Sequence, residues 1–477
     1  MNFDPRSCRG KKAAVLGLGK SGLAVTRLLM RKGCRVFVSD ARHRREVKAS
    51  LGRLADAVSW EGGGHSDRLL KASFAVKSPG LPSRAPILPK LRAAGITVFS
   101  ELETALAFCA SRDLVAITGT NGKTTTTALT AEIFRCGLPR GRRVHTAGNI
   151  GTPVSEAVVK VKAKDVLVLE VSSYQLEDSQ AFHPRAAALL NITADHVDHH
   201  GSMQAYIEAK AKVFGEQRGD DFCVFNAEDP LVLKLSRSCR CRRLYFGRPG
   251  AYSHAWVAGG RIRVKLPGRK EVSFVPPALP GSHNLENAMA AVLLGLGWGC
   301  KPQAIQKALK SFKGVPHRLE EAGTARGIRC INDSKATNVD STLVALKSFL
   351  PSPSAGGKQP SPAGTARPDA RKNVLLILGG LHKGSPYRPL QPLIESVVKG
   401  ILTIGSAAGK VEEDLSGLAP IFPCNDLKTA VETALRVGAP GDVLLLSPAC
   451  ASFDQFRDFE DRGDQFKALV KSTSQTS

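Results

Sequence analysis

Aromatic side chains are scarce: they make up 6% of the 477 residues, against 23% charged residues. So few flat rings leave little for stacking bases. The excess of 67 basic over 42 acidic residues, a formal charge of +25, is therefore not read as a nucleic-acid surface. The basic residues are also spread, over Arg31 to Arg53, Arg135 to Arg143 and Arg237 to Arg248, which fits a solvated surface with some pull on anionic substrates. No apolar run approaches the roughly 18 residues that a membrane helix needs, which argues against membrane insertion. The first apolar run, Ala13 to Leu16, is only strand-length, so no secretory signal is expected. Eleven cysteines show no pairing pattern, and Cys239-Arg-Cys241 lacks the two-residue gap of a zinc knuckle. Reduced thiols in the cytoplasm are the expectation. No internal repeat is present. What remains is a soluble α/β protein, 43% hydrophobic and long enough for about three domains.

The chain is organised around Leu114 to Thr125. Leu114 to Ile117 reads as a buried parallel strand, and a turn with Gly119 and Gly122 leads into a helix through Lys123 and Thr124. A strand, a glycine turn and a helix N-terminus make an anion site, because unpaired N–H groups and the helix dipole face the ligand. Lys123 supplies a point charge for terminal phosphates and Thr124 a hydroxyl for Mg²⁺. The general phosphate-loop pattern has a glycine where this chain has Ile117, so the match is to a shorter loop.

Upstream, Ala13 to Gly22 is a strand, turn and helix start with a G-x-G-x-x-G pattern, and a second strand ends in Asp40 about 20 residues on. The pattern suits NAD, and equally any diphosphate on a helix N-terminus with a carboxylate near a ribose. Residues 1–102 read as one small α/β domain. In the next domain, 103–314, Val166 to Glu170 is a strand delivering a carboxylate at its C-terminal end. A strand over Ala187 to Ile192 exits into Asp195-His-Val-Asp-His-His200, followed by a helix over Met203 to Phe214. An alanine-rich helix follows Gly281 to Asn287. Residues 315–477 alternate short apolar strands, Val374 to Leu378, Ile401 to Ile404 and Val443 to Leu446, with helices, which predicts a third, parallel doubly wound sheet. Pro351 to Ala370 reads as a disordered insert.

Gly119-Thr-Asn-Gly-Lys-Thr124 resembles the ATP loop of the Mur ligases and of folylpolyglutamate synthetases. Collinear with it stand Gly148-Asn-Ile-Gly151, Leu169-Glu-Val-Ser-Ser173, Asn191-Ile-Thr-Ala-Asp-His196, Pro316-His-Arg318, Asn332-Asp-Ser-Lys-Ala-Thr-Asn338 and Ser447-Pro-Ala-Cys-Ala-Ser-Phe-Asp454. On these segments the chain is identified as a member of the Mur ligase family, and the last two resemble its D-glutamate-adding branch. The Asn-Pro-Arg signature of the branch that adds the third residue is absent.

The resemblance implies three domains: a Rossmann-like N-terminal domain, a central ATPase-like parallel sheet and a Rossmann-like C-terminal domain. It implies joining of D-glutamate to UDP-N-acetylmuramoyl-L-alanine with ATP as co-substrate, through an acyl phosphate, by a monomer. The sugar nucleotide would meet Lys20, Ser21, Asp40, Arg42, Gly80, Asn149, Ser172, Gln175 and His196. ATP would meet Gly119, Thr120, Asn121, Gly122, Lys123, Thr124, Thr125, Asn284, Asn287, Arg318 and Asp333. D-Glutamate would meet Lys335, Thr337, Lys383, Ser452 and Phe459. Two Mg²⁺ ions are implied, one on Thr124 and Glu170 and one near His196 and Lys210, with Lys123, His196 and Lys210 catalytic and Lys210 carrying a carbamate. Relatives have an acidic residue beside the second substrate lysine, where this chain has His382.

Rival readings carry less. Asp198-His-His200 suits a metal phosphoesterase, but the further Asp and His clusters such an enzyme needs are missing, so His199 and His200 are expected to be structural or solvated. Lys212 is expected at the surface and Cys450 as a small buried filler. A basic nucleic-acid-binding ATPase, a dehydrogenase and a ligase for another amino acid complete the alternatives.

Overall fold

The computed structural model describes residues 3–149, 151–193, 197–250, 252–279, 281–350, 372–382, 384 and 386–474. Three sheets follow one another along the chain. The first has five parallel strands in the spatial order Ser59–Gly62, Arg35–Asp40, Lys12–Leu16, Phe74–Lys77, Val98–Ser100. Its order reverses beside Lys12–Leu16, and such a reversal opens a crevice at the carboxyl ends of the strands. The G-x-G-x-x-G pattern explains the turn there. Gly17 takes φ +83°, and a Cβ on Gly22 would stand 1.9 Å from Gly17 O, so the helix Lys20–Arg31 starts against the strand only without a side chain.

The second sheet has nine strands, and its parallel part runs Arg242–Phe246, Phe222–Asn226, Ala186–Leu189, Leu114–Thr118, Val166–Glu170, Val144–Gly148. Leu114–Thr118 and Val166–Glu170 are buried along their whole length, as strands covered on both faces must be. The helices Lys123–Gly137 and Ser282–Trp298 supply part of that cover. The alanines of the second helix, Ala288, Ala290 and Ala291, are all fully buried, which accounts for the small side chains read in the sequence.

Both of the larger sheets add antiparallel strands to the parallel core that the sequence predicts. Beyond Ala255–Ala258 the second sheet continues antiparallel through Arg261–Val264 and Val272–Phe274. Arg261 and Arg263 there are exposed while Ile262 and Val264 are buried, the alternation of a sheet with one wet face. In the third sheet, Glu320–Ala325 pairs antiparallel with Ile328–Asn332 across Arg326 and Gly327, which take φ +50° and +73°. That is the two-residue turn that suits a twisted hairpin. The remaining strands are parallel, in the order Ile328–Asn332, Val443–Leu446, Val374–Gly379, Val398–Ile404, Ile421–Asn425.

By packing, Met1–Ala278 with His283–Phe312 form one compact unit, and Leu279–Ser282 with Lys313–Ser477 a second. The first two sheets share a unit because apolar cover runs between them: Leu28 of the first helix packs in the same cluster as Leu102, Val154 and Leu169. Among the described residues no helix is long and apolar enough to cross a membrane. All eleven cysteines are free thiols.

Candidate active site

The crevice of the first sheet is a cleft of about 490 Å³ at the carboxyl ends of Lys12–Leu16 and Phe74–Lys77. Of the nine residues assigned to the sugar nucleotide, Lys20, Ser21, Asp40, Arg42, Gly80, Asn149 and Gln175 line it together. Asp40 is the organiser. Its Oδ2 accepts from Leu18 N at 2.6 Å, and its Oδ1 accepts from Arg42 N at 2.8 Å and Arg42 Nε at 3.0 Å. Arg42 Nη2 closes the ring on Leu18 O at 3.0 Å. Burial opposes ionisation of Asp40, but the Arg42 guanidinium and the two N–H donors outweigh it and hold the carboxyl below its ordinary value. Ser172 stands apart from the cleft lining: it caps the helix Ser173–Glu177, its N–H donating to Gln175 Oε1 at 3.1 Å. His196 lies outside the described residues.

The glycine loop Gly119 to Thr125 is tied to the next strand exit. Asn121 N donates to Asn191 Oδ1 at 2.7 Å and Asn191 Nδ2 to Asn121 O at 3.1 Å. Thr120 N donates to Asn191 O at 2.9 Å, and Thr120 Oγ1 lies 2.9 Å from Tyr206 Oη. The strand predicted over Ala187 to Ile192 accordingly ends at Leu189, because residues beyond it turn to hold the loop. Asn191 and Tyr206 had no assigned role; only the loop's hydrogen bonds reveal them. Gly122 takes φ +84° at the helix start, and a Cβ there would stand 2.2 Å from Asn287 Oδ1. Asn287 also accepts from Thr126 Oγ1 at 3.2 Å and donates to Asn284 Oδ1 at 3.2 Å. Both asparagines named for ATP thus stand at the loop.

Two cations converge on one carbonyl. Lys123 Nζ donates to Gly119 O at 2.9 Å and to Thr120 O at 2.7 Å, and Lys210 Nζ donates to the same Gly119 O at 2.8 Å. Lys210 is buried, 2% exposed, with its ammonium 4.7 Å from the centre of the Tyr206 ring. Glu170 is equally buried, and its Oε1 accepts from Asn149 Nδ2 at 3.2 Å. Asn149 therefore joins the cleft of the first sheet to the carboxylate named for a metal.

His199 and His200 converge on Glu177. His199 Nε2 lies 3.1 Å from Glu177 Oε2, His200 Nδ1 3.2 Å from Glu177 Oε1, and His200 Nε2 3.0 Å from Ser173 Oγ. Among the described residues this is the one group of His and carboxylate side chains close enough to share a metal. Buried Lys77, ion-paired to Asp178 and 3.9 Å from Glu177, already supplies the carboxylate with positive charge. Lys212 departs from expectation: it is half-buried and donates to Glu177 O, so it anchors its helix rather than facing water.

In the second unit the candidate residues follow strand ends. Asp333 is fully buried behind Ile328–Asn332, its Oδ1 accepting from Leu319 N at 3.2 Å and its Oδ2 from Ser447 Oγ at 2.9 Å. Burial raises its pKa to about 6, against the pull of Arg318, Ser447 and Lys335. His317 and Leu319, on either side of Arg318, have φ of +61° and +45°, and Ala449 has φ +57°. Backbone strain of this kind gathers where a segment is shaped for a ligand. Lys335, Thr337 and Phe459 are part-exposed and Ser452 is buried. Lys383 lies outside the described residues, but its neighbour His382 is held in a polar chain. His382 Nδ1 lies 3.0 Å from Tyr387 Oη, which lies 2.9 Å from Cys450 Sγ. Cys450 is buried as expected, and it also takes part in that chain.

Residues 117–295 match the family model of the Mur ligase middle domain, and residues 11–100 that of the Mur ligase MurD-like N-terminal domain. The UDP-N-acetylmuramoylalanine–D-glutamate ligase of Elusimicrobium minutum is 44% identical, over 98% of this chain and 100% of that protein. The chain belongs to the Mur ligase family. The ligase of the same name from Anaeromyxobacter dehalogenans is 42% identical over 97% of this chain and 98% of its own. Among solved structures, the UDP-N-acetylmuramate-alanine ligase MurC of Thermotoga maritima covers 97% of this chain and 100% of its own, with a TM-score of 0.56 at 19% identity. The MurF ligase of Thermotoga maritima in complex with ADP covers 99% and 97%, also with a TM-score of 0.56, at 16% identity. These two establish the Mur ligase fold for the chain.

Proposed function

We propose that the protein is the ATP-dependent ligase that joins D-glutamate to UDP-N-acetylmuramoyl-L-alanine, in the cytoplasmic synthesis of peptidoglycan precursors. The observation that carries this reading is Asn149, which lines the nucleotide cleft and donates to Glu170 beside the ATP loop. A sugar nucleotide held by its diphosphate in the cleft would extend its far carboxylate toward the γ-phosphate of ATP. The full-length likeness to D-glutamate ligases supports the choice of amino acid.

A carboxylate is a poor electrophile. Transfer of the γ-phosphoryl group to it releases ADP and gives an acyl phosphate; the amine of D-glutamate then attacks the acyl carbon, and inorganic phosphate leaves. The first transfer brings two anions together, so cations must offset their repulsion. Lys123 would turn from the carbonyls of Gly119 and Thr120 to the terminal phosphates. The donor set fits Mg²⁺: the Thr124 hydroxyl and the buried Glu170 carboxylate for one ion, His196 and a carbamate on Lys210 for a second. Bound Mg²⁺ would neutralise phosphate charge and hold the reacting oxygens in line. A carbamate also suits the surroundings of Lys210, since it would turn a like-charged neighbour of Lys123 into an opposite one. Asn284, Asn287, Arg318 and Asp333 would hold the adenosine, and Lys335, Thr337, Lys383, Ser452 and Phe459 the amino acid. Residues 1–102, 103–314 and 315–477 divide the work into sugar nucleotide, ATP and amino acid. The single chain is taken as the active unit in this reading.

The test is ADP release by the purified chain with UDP-N-acetylmuramoyl-L-alanine and a panel of amino acids. D-Glutamate alone should support turnover. Turnover with L-alanine or L-lysine in its place, or with a folate in place of the sugar nucleotide, would refute the assignment.

A further inference from the structure

Arg462, in the helix Phe459–Ser474, has no solvent exposure at all. Its charge is met by a hydroxyl and by backbone carbonyls. Nε donates to Ser334 Oγ at 2.9 Å, Nη2 to Ser334 O at 2.9 Å and Cys450 O at 3.2 Å, and Nη1 to Ala451 O at 3.5 Å. Ser334 Oγ in turn donates to Phe459 O at 2.8 Å. A third segment closes on the same point: Leu381 N donates to Ala451 O at 2.8 Å, and a Cβ on Gly380 would stand 3.2 Å from Arg462 Nη1. Ser334 precedes Lys335 and Ala451 precedes Ser452. One buried guanidinium thus sits where two of the loops assigned to the amino acid leave their strands, with Gly380 packed against it.

We propose that Arg462 is a positioning residue for the amino-acid substrate, its planar fork setting the spacing of the Ser334 and Ala451 loops so that the side chains of Lys335 and Ser452 converge on one carboxylate-bearing ligand. The inference rests on the reading of Lys335 and Ser452 as amino-acid contacts. Burying a charge without a directly bonded carboxylate is costly, and only a rigid multi-donor fork can satisfy carbonyls from two loops at once. Burial lowers the pKa of Arg462 to about 10, so it keeps its charge at neutral pH. Lysine cannot replace the fork, because its single ammonium cannot span Ser334 and Ala451 in one plane. The ATP side should feel the change far less. Asp333, although adjacent to Ser334, is held separately by Leu319 N, Ser447 Oγ and Leu446 O.

The experiment is steady-state kinetics on the full chain with Arg462→Lys, Ser334→Ala and Lys335→Ala, each with a thermal unfolding curve. Arg462→Lys should raise the KM for D-glutamate about tenfold or more while the KM values for ATP and the sugar nucleotide stay within about twofold. Ser334→Ala, which removes one partner and keeps the arginine, should move the same constant in the same direction by less, and it decides the matter if Arg462→Lys does not fold. A folded Arg462→Lys with an unchanged KM for D-glutamate overturns the proposal, as does a parallel rise in all three KM values. Lys335→Ala separates the two levels. If it raises the KM for D-glutamate and Arg462→Lys does not, only the brace is wrong; if it leaves that KM unchanged, the amino-acid site itself is misassigned and the brace falls with it.

Discussion

Replacing Asp333 by asparagine isolates one buried charge whose cost can be worked out. Its carboxyl has pKa about 6 in the fold against an ordinary 3.8, and burial is the largest cause. That difference corresponds to roughly 3 kcal/mol between the two protonation states. Because the folded pKa is raised, the fold binds this proton more tightly than the unfolded chain does. Below about pH 4 both states are protonated and the group costs nothing. As pH climbs through 6 the stabilising difference is lost, and at pH 7.5 the second unit carries the whole penalty. Asparagine has nothing to ionise, and it keeps an oxygen for Leu319 N and an amide for Ser447 Oγ. The stability difference between Asp333→Asn and the parent should therefore move in favour of the variant by up to about 3 kcal/mol between pH 4 and pH 7.5. Tryptophan fluorescence would miss the event, since Trp60, Trp256 and Trp298 all lie in the first unit. Hydrogen exchange of peptides covering Ile328–Asn332 and Val443–Leu446 in the full chain reads it directly. A difference that stays flat across this range would refute the argument. The compensating loss belongs to ATP: the proposed role of this carboxylate at the ribose hydroxyls predicts a KM for ATP that rises about tenfold in the variant and, in the parent, as pH falls below 6.

Lys123→Ala should slow ADP formation by about three orders of magnitude while sugar-nucleotide binding, followed by calorimetry, is unchanged, because Lys123 is not part of the cleft lining. Lys210→Ala should fold, since Gly119 O keeps its bond from Lys123, yet turn over at least about a hundredfold more slowly. Small carboxylic acids should restore part of that activity, and carbon-13-labelled CO₂ should give a carbamate signal in the parent only; a fully active variant would sink the carbamate. Gly148→Ala should destabilise the first unit by about 2 kcal/mol or more and lower activity. Its φ is +129° and the added Cβ would stand 2.0 Å from Glu170 O, so normal thermal unfolding would count against the strand-end geometry.

The legible parts of this chain are those whose constraint is local in sequence. A strand, a glycine turn and a helix start must be contiguous to make an anion site, so Gly119 to Thr125 and Gly17 to Gly22 could be read from spacing alone. The continuous apolar runs Leu114–Thr118, Val166–Glu170 and Val443–Leu446 fell where a buried parallel strand demands them. Groups that act across distance were hidden. Arg462 looks like any charge on a helix until its 0% exposure is known, and Lys212 looks solvated until Glu177 O is seen beside it. Asn191 reads as a strand residue, yet it leaves the strand to pair with Asn121. The hairpin at Arg326 and Gly327 escapes the sequence because neither residue is unusual there, and only two positive φ angles in succession make the turn.

The lysines on Gly119 O carry the physical argument furthest. An ordinary surface lysine keeps its charge in water, but Lys210 is buried and has a second ammonium directed at its own hydrogen-bond acceptor. The carbonyls of Gly119 and Thr120 offset part of that repulsion. In the proposed reaction, polyanionic ATP would relieve it by drawing Lys123 toward phosphate, and conversion of Lys210 to an anion would relieve it by reversing one sign. Either event leaves a cation and an anion where two cations stood, and both are steps that the proposed reaction needs. The loop is thus poised by its own electrostatics: two ammonium groups that repel each other without substrate gain most when phosphate arrives. Buried charge of this kind detracts from stability, and in the proposed reaction phosphate would repay part of that cost.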